Sequence, residues 1–101
     1  MFITIWEYHV LPQHQPAFER AYGPEGGWVQ LFRRGTGHLR TELLRDAGDG
    51  GRYVTVDYWT SRASRDAFRR QFADAFAALD AACEALTEGE RWVGDFEAIE
   101  E

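Results

Sequence analysis

Apolar and polar residues alternate over positions 2–10, with Phe2, Thr4, Trp6, Tyr8 and Val10 on one face and Ile3, Ile5, Glu7 and His9 on the other. This period of two, in β-branched and aromatic residues, predicts a strand, and apolar side chains on both faces predict a strand covered on both sides. The period then changes. Positions 13–22 place Ala17, Phe18, Ala21 and Tyr22 on one helical stripe, which Gly23-Pro24 ends. Trp28, Leu31 and Phe32 stand at i, i+3 and i+4 and predict a second short helical turn from about Gly27, closed by Gly35-Thr36-Gly37. Positions 38–46 read as a second strand with Leu39, Thr41 and Leu43 on one face. The run AGDGG at 47–51 is a hairpin turn, and RYVTVDYWT at 52–60 is the strongest strand signal in the chain. Ser61 or Ser64 caps the next helix. There Phe68, Phe72, Phe76, Leu79, Cys83 and Leu86 follow in steps of three and four and predict one long amphipathic helix with a bend near Asp74. Gly89 is expected to break it within 87–90, and 91–99 is a fourth strand.

The order is β-α-β-β-α-β with the first helix split. Right-handed crossovers place both helical segments on one face of a four-stranded antiparallel sheet, which is an α+β, ferredoxin-like plait. The opposite sheet face is also apolar, and a bare apolar face implies a partner. The expectation is a homodimer packed sheet to sheet as an α/β barrel. The 101 residues suffice for one domain spanning 1–101, and 45% hydrophobic with 15% aromatic residues excludes disorder.

A net charge of −6 argues against nucleic acid and anionic membrane surfaces as partners. The single cysteine, Cys83, excludes an internal disulfide and a thiolate metal cluster. The longest apolar stretch is far below the roughly 20 residues that span a bilayer. The first ten residues alternate like a strand and lack a basic region, so a signal peptide is not expected and a cytoplasmic location is. The glycine-rich stretch YGPEGGWVQLFRRGTG at 22–37 has no Gly-Lys-Ser/Thr ending and follows a helix, not a strand, so it is not a nucleotide cradle. It reads as a helical roof that brings Trp28 and Phe32 over a cleft.

Three segments carry a family resemblance: WEYHVLPQHQPAFERAYGPEGGWVQLFRRGTGHLRTELLRD, YVTVDYWTSRASRDAF and ALDAACEALTEGERWVGDFEAI. Together they resemble the antibiotic biosynthesis monooxygenase domain over nearly the whole chain. The most telling motif is the strand ending in Trp59, followed by Thr60-Ser61 and a helix carrying Phe68. The resemblance implies a dimer of ferredoxin-like subunits, each with a cleft between helices and sheet. It further implies cofactor-free oxidation of phenolic polyketides by O2 in some members and haem degradation in others. The haem-degrading members pair an asparagine on the first strand, the tryptophan and a later histidine. Here Tyr8 stands near the asparagine position, Arg69 or Arg70 near the histidine, and no histidine follows His38. No cofactor is therefore expected.

Cofactor-free oxygenation needs a base to form an electron-rich anion, a pocket that excludes water, and fixed donors for the oxyanion. Asp57 shares a strand face with Trp59 and, if desolvated in the cleft, is a candidate base. His9 and His38 lie near strand ends and have a suitable intrinsic pKa, so they are the other candidates. Trp59, Tyr8, Trp28, Phe32, Phe68 and Phe72 are the expected lining for a small apolar or aromatic molecule. No histidine and carboxylate spacing matches a metal site. The rival reading is a non-catalytic dimeric domain that binds a small molecule or a protein. Closure of Trp28, Phe32, Trp59 and Phe68 on one another with no void would favour it, as would Asp57 ion-paired at the surface.

Overall fold

A computed structural model of the chain describes residues 1–99; the last two positions of the expected 1–101 domain lie outside the described residues. Strand β1 (Phe2–His9) leads through a short 3-10 turn into α1 (Gln15–Tyr22) and α2 (Gly27–Phe32). The hairpin of β2 (His38–Arg45) and β3 (Arg52–Trp59) follows, then α3 (Arg62–Gln71), α4 (Ala73–Cys83) and β4 (Gly89–Glu97). The sheet order is β2-β3-β1-β4 with every pair antiparallel. This is the ferredoxin-like plait that the periodicity predicts.

Aromatic packing joins the first helix to the sheet. Phe18 is fully buried, stacks on Tyr22 with ring centroids 4.3 Å apart, and meets Tyr53 at 4.8 Å and Tyr8 at 5.3 Å. One buried phenylalanine of this kind contributes about 2–3 kcal/mol. The chain then turns without losing contact because Gly26 has no side chain. A Cβ there would lie 2.3 Å from the Ala21 carbonyl oxygen. Gly26→Ala is therefore expected to destabilise the protein by about 2 kcal/mol or more. The check is a lower urea midpoint at an unchanged m-value, and an unaltered midpoint would contradict this packing.

Ser61 caps α3 reciprocally: its hydroxyl accepts from the Ser64 N–H at 3.1 Å, while the Ser61 N–H donates to the Ser64 hydroxyl. The expected single long helix is in fact two. Phe72, at φ −112° and ψ 28°, leaves helical geometry between α3 and α4. The expected break at Gly89 also differs, because a 3-10 turn over Glu84–Leu86 ends the helix and Gly89 already pairs with His9 in β4.

The hairpin contains the irregularity that matters most. From Arg45 opposite Tyr53 to Arg40 opposite Tyr58 the register is regular, and then His38 pairs with Trp59. Leu39 is thus an extra residue in a β-bulge, 52% exposed, and not the inward-facing member of the 39–41–43 set that plain alternation predicts. Gly37 feeds the bulge at φ +124°, a region that glycine adopts without strain. Its carbonyl accepts from Thr60 N–H at 2.8 Å.

On the other sheet face Leu44 is 50% and Phe96 45% exposed, beside half-buried Ile3 and Ile5. No helix among the described residues is long and apolar enough to cross a membrane.

Candidate functional site

Between the helices and the sheet lies a cavity of about 130 Å³ that opens to solvent. Its floor comes from alternate residues of three strands: Thr4, Trp6 and Tyr8 of β1, Thr41 of β2, and Thr55, Asp57 and Trp59 of β3. Tyr22, Trp28, Phe32, Phe68 and Phe76 form the helical wall and roof. The exposed side chains of Arg69, Asp80 and Glu90 stand at the open end.

Trp59 is 2% exposed and forms the inner wall, with ring centroids 5.8 Å from Phe32, 5.3 Å from Phe68 and 5.3 Å from His38. Trp28 and Phe32 are both buried over the cavity, 5.9 Å apart, where the roof expectation puts them.

Among the described residues Asp57 is the only carboxylate on the floor, and it is 7% exposed. One of its oxygens accepts a hydrogen bond from Thr41 Oγ1 at 2.8 Å. Among the described residues no arginine, lysine or histidine lies within ion-pairing distance of it. Loss of hydration pushes its pKa up to about 6, against the Thr41 hydrogen bond and the more distant Arg69 charge. A carboxylate in that range is mostly ionised at neutral pH yet basic enough to take a proton. Burial holds the Tyr8 and Tyr22 phenols far above their ordinary values, so both stay protonated and available as donors.

The other candidates separate clearly. His38 stands one residue behind the floor, and its Nε2 is 2.9 Å from Thr41 Oγ1. Burial, and then the Arg33 charge, lower its pKa. His9 lies outside the cavity. It is an odd-numbered residue of β1, opposite in facing to Tyr8, and it sits half-exposed 3.5 Å from Glu7 on the other sheet face. Phe72 is also absent from the lining, because the break between the helices turns it against Phe68 and beneath the Arg34 guanidinium. Phe76, one turn on, takes the expected place.

Sequence reasoning gave Thr41, Arg65 and Arg69 no place in the site. Arg65 is buried and fully engaged: it donates to Thr4 Oγ1 at 2.8 Å and pairs with both oxygens of Asp95, locking α3 to β1 and β4. The Arg69 guanidinium lies over the Phe76 ring, 5.8 Å from its centroid, and has no carboxylate within ion-pairing distance among the described residues. Its cationic head stands at the cavity mouth.

No group of three or more His, Cys, Asp or Glu among the described residues is arranged to hold a metal ion. Among the described residues the lining also offers no imidazole to a haem iron, so the residues present do not fit that group.

The family model described as antibiotic biosynthesis monooxygenase matches residues 1–79. Among solved structures, SnoaB, a cofactor-independent oxygenase from Streptomyces nogalater, is 26% identical, with 99% of this chain and 94% of that chain covered at a TM-score of 0.70. Rv0793 from Mycobacterium tuberculosis is 17% identical over 99% of this chain and 96% of that one, with a TM-score of 0.74. A variant of MhuD, holding two manganese protoporphyrin IX molecules per active site, is 22% identical over 100% of this chain and 97% of that one, with a TM-score of 0.73. The last two likenesses concern the fold alone. No curated protein matches the sequence.

Proposed function

The chain belongs to the antibiotic biosynthesis monooxygenase family, and from that premise we propose that it is a cofactor-independent monooxygenase acting on an aromatic, polyketide-type small molecule. One observation carries the reading: a carboxylate with no ion-pair partner among the described residues, buried to 7% exposure, on the floor of an aromatic cavity. The similarity to SnoaB supports the absence of a cofactor.

The chemistry follows from the lining. Asp57 takes a proton from a phenol or from the acidic CH2 of an anthrone-like ketone. The resulting anion is electron-rich and passes one electron to O2. Recombination of the radical pair forms a C–O bond, and cleavage of the O–O bond with loss of water leaves a carbonyl, so that CH2 and O2 become C=O and H2O. Trp59, Phe32 and Phe68 exclude water from the intermediates. Arg69 and the protonated tyrosines supply positive charge and donors to the oxyanion.

The cavity volume limits the fit. A space of about 150 Å³ accepts one benzene ring, so about 130 Å³ takes one ring of the substrate. The remaining rings extend past Arg69 or lift the α2 roof. The open cavity, and an Asp57 with no ion-pair partner among the described residues, support this reading over a non-catalytic binding domain, which a closed aromatic cluster would favour. The exposed outer face of the sheet, with Leu44 and Phe96, supports a second copy seated there. Light scattering is expected to give twice the chain mass, and a stable monomer would contradict that assembly.

The functional test is turnover of a panel of phenols and anthrones with and without O2, in the presence of a chelator. One O2 should be consumed per product, with the new oxygen derived from 18O2. Turnover that persists unchanged without O2 sinks the oxygenase reading and leaves isomerase or cyclase chemistry on the same scaffold.

A further inference from the structure

Asp57, Thr41 and His38 form a continuous hydrogen-bonded line: Asp57 Oδ1 to Thr41 Oγ1 at 2.8 Å, and Thr41 Oγ1 to His38 Nε2 at 2.9 Å. Only Asp57 and Thr41 line the cavity, while His38 lies behind them, partly exposed to solvent. The β-bulge at Leu39 makes this possible. In a regular strand residues 38 and 41 face opposite sides, and the extra residue brings His38 round to the side of Thr41.

A base inside a substrate-filled cavity has a problem that its burial creates. The aromatic substrate blocks the mouth, so the proton taken by Asp57 cannot leave by the way the substrate came in. We propose that Thr41 and His38 are a proton exit: the Thr41 hydroxyl relays the proton from Asp57 to His38, which releases it to solvent on the far side of the cavity wall. This rests on Asp57 acting as the base.

The relay balances over the cycle: one proton leaves when the substrate anion forms, and one returns from solvent when the peroxide loses water, so that CH2 and O2 still give C=O and H2O. With Asp57 ionised, Thr41 donates to the carboxylate and His38 donates its Nε2–H to Thr41. For His38 to receive, it takes the other tautomer, with Nε2 bare. The Asp57 O–H then passes its proton to Thr41 Oγ, and the Thr41 hydroxyl proton moves to His38 Nε2. The result is an ionised Asp57 and an imidazolium, which loses its Nδ1 proton to water. The next ionisation of Asp57 starts from the restored line.

The surroundings favour release. Burial and the Arg33 charge disfavour the His38 imidazolium, against a hydrogen bond to the Arg40 backbone that favours it, and among the described residues no carboxylate lies within ion-pairing distance of His38. Asp57 faces Thr41 and, at longer range, Arg69 from α3 and the Tyr8 phenol from β1, with Arg65 already committed to Asp95. His38 is thus a positioning and relay residue, not one that touches substrate.

The test mixes anthrone with the protein under nitrogen in a stopped-flow instrument, following anion absorbance and a pH indicator together. In the wild type, proton release should keep pace with anion formation. In Thr41→Val, which removes the hydroxyl at nearly constant volume, the anion should form but release should lag by about tenfold or more. Thr41→Ser should restore it, and imidazole should accelerate release in His38→Ala. Release that keeps pace in both Thr41→Val and His38→Ala overturns the relay while leaving Asp57 as base. No anion in the wild type overturns the proposed base, and the relay with it. A second readout needs no substrate: 15N NMR at pH 8 should find His38 as the Nε2–H tautomer in the wild type and as a mixture in Thr41→Val. An Nδ1–H tautomer in the wild type also overturns the relay.

Discussion

Asp57→Asn is expected to lower kcat for an oxidisable phenol or anthrone by about 10²–10⁴-fold while making the unliganded protein more stable at neutral pH. The two effects have one cause. The carboxyl has an ordinary value of 3.8 and is pushed to about 6 in the folded chain, mainly by burial. The folded state therefore binds this proton more tightly than the unfolded state. Its stabilising contribution is complete below about pH 4 and is lost as pH rises through about 6. Above that, the buried carboxylate costs about 2–3 kcal/mol relative to its protonated form. Asparagine keeps the shape and can still accept from Thr41, but carries no charge and cannot take a proton. Urea unfolding at pH 5 and pH 8 should thus show the variant gaining on the wild type mainly at pH 8. In turnover, wild-type kcat/KM should rise as pH passes through about 6 and then level. A variant that keeps full activity, or a profile flat from pH 5 to 8, would show that Asp57 is not the base.

Trp59→Ala is expected to have the largest effect on stability, about 3–5 kcal/mol. The side chain is 2% exposed and touches Phe32 of α2, His38 of β2 and Phe68 of α3 at once. Its removal leaves three elements facing a void contiguous with the existing cavity. A domain of this length has roughly 5–15 kcal/mol of total stability, so the loss is a large share, and a fall in Tm on the order of 15–30 °C should accompany it. Trp59→Phe fills part of the void and should cost about half as much. This milder variant separates the two roles of the tryptophan. At a temperature where it stays folded, it should bind a phenol more weakly, because the wall of the cavity is lost and not only a part of the core. An unchanged affinity would confine Trp59 to packing.

The strands were legible because their period of two is nearly uninterrupted. Counting back from the hairpin turn at 47–51 even places Thr41 opposite Asp57, although a threonine on a strand gives no catalytic signal by itself. The bulge at Leu39 was not legible. It depends on Gly37 packing against Ser64 and Thr60, contacts from residues far along the chain, and without it His38 would face away from the cavity. The break at Phe72 was only half legible: the sequence predicts a bend near Asp74, two residues on, but the apolar steps of three and four continue through it, so two helices read as one. That break moved Phe72 out of the lining and Phe76 in. Arg69 was masked by composition, since arginines cluster on α3 and only packing distinguishes the one at the cavity mouth from the one locked to Asp95.

The proposed function stands on Asp57 ionising a bound aromatic in a cavity that excludes water. The direct measurement is the absorption spectrum of anthrone bound to the protein at pH 7 under nitrogen, where oxidation cannot follow. The wild type should show the red-shifted band of the anion, and Asp57→Asn should bind the same compound in its neutral form. A neutral spectrum with the wild type, or the same anion band with both proteins, would contradict the account.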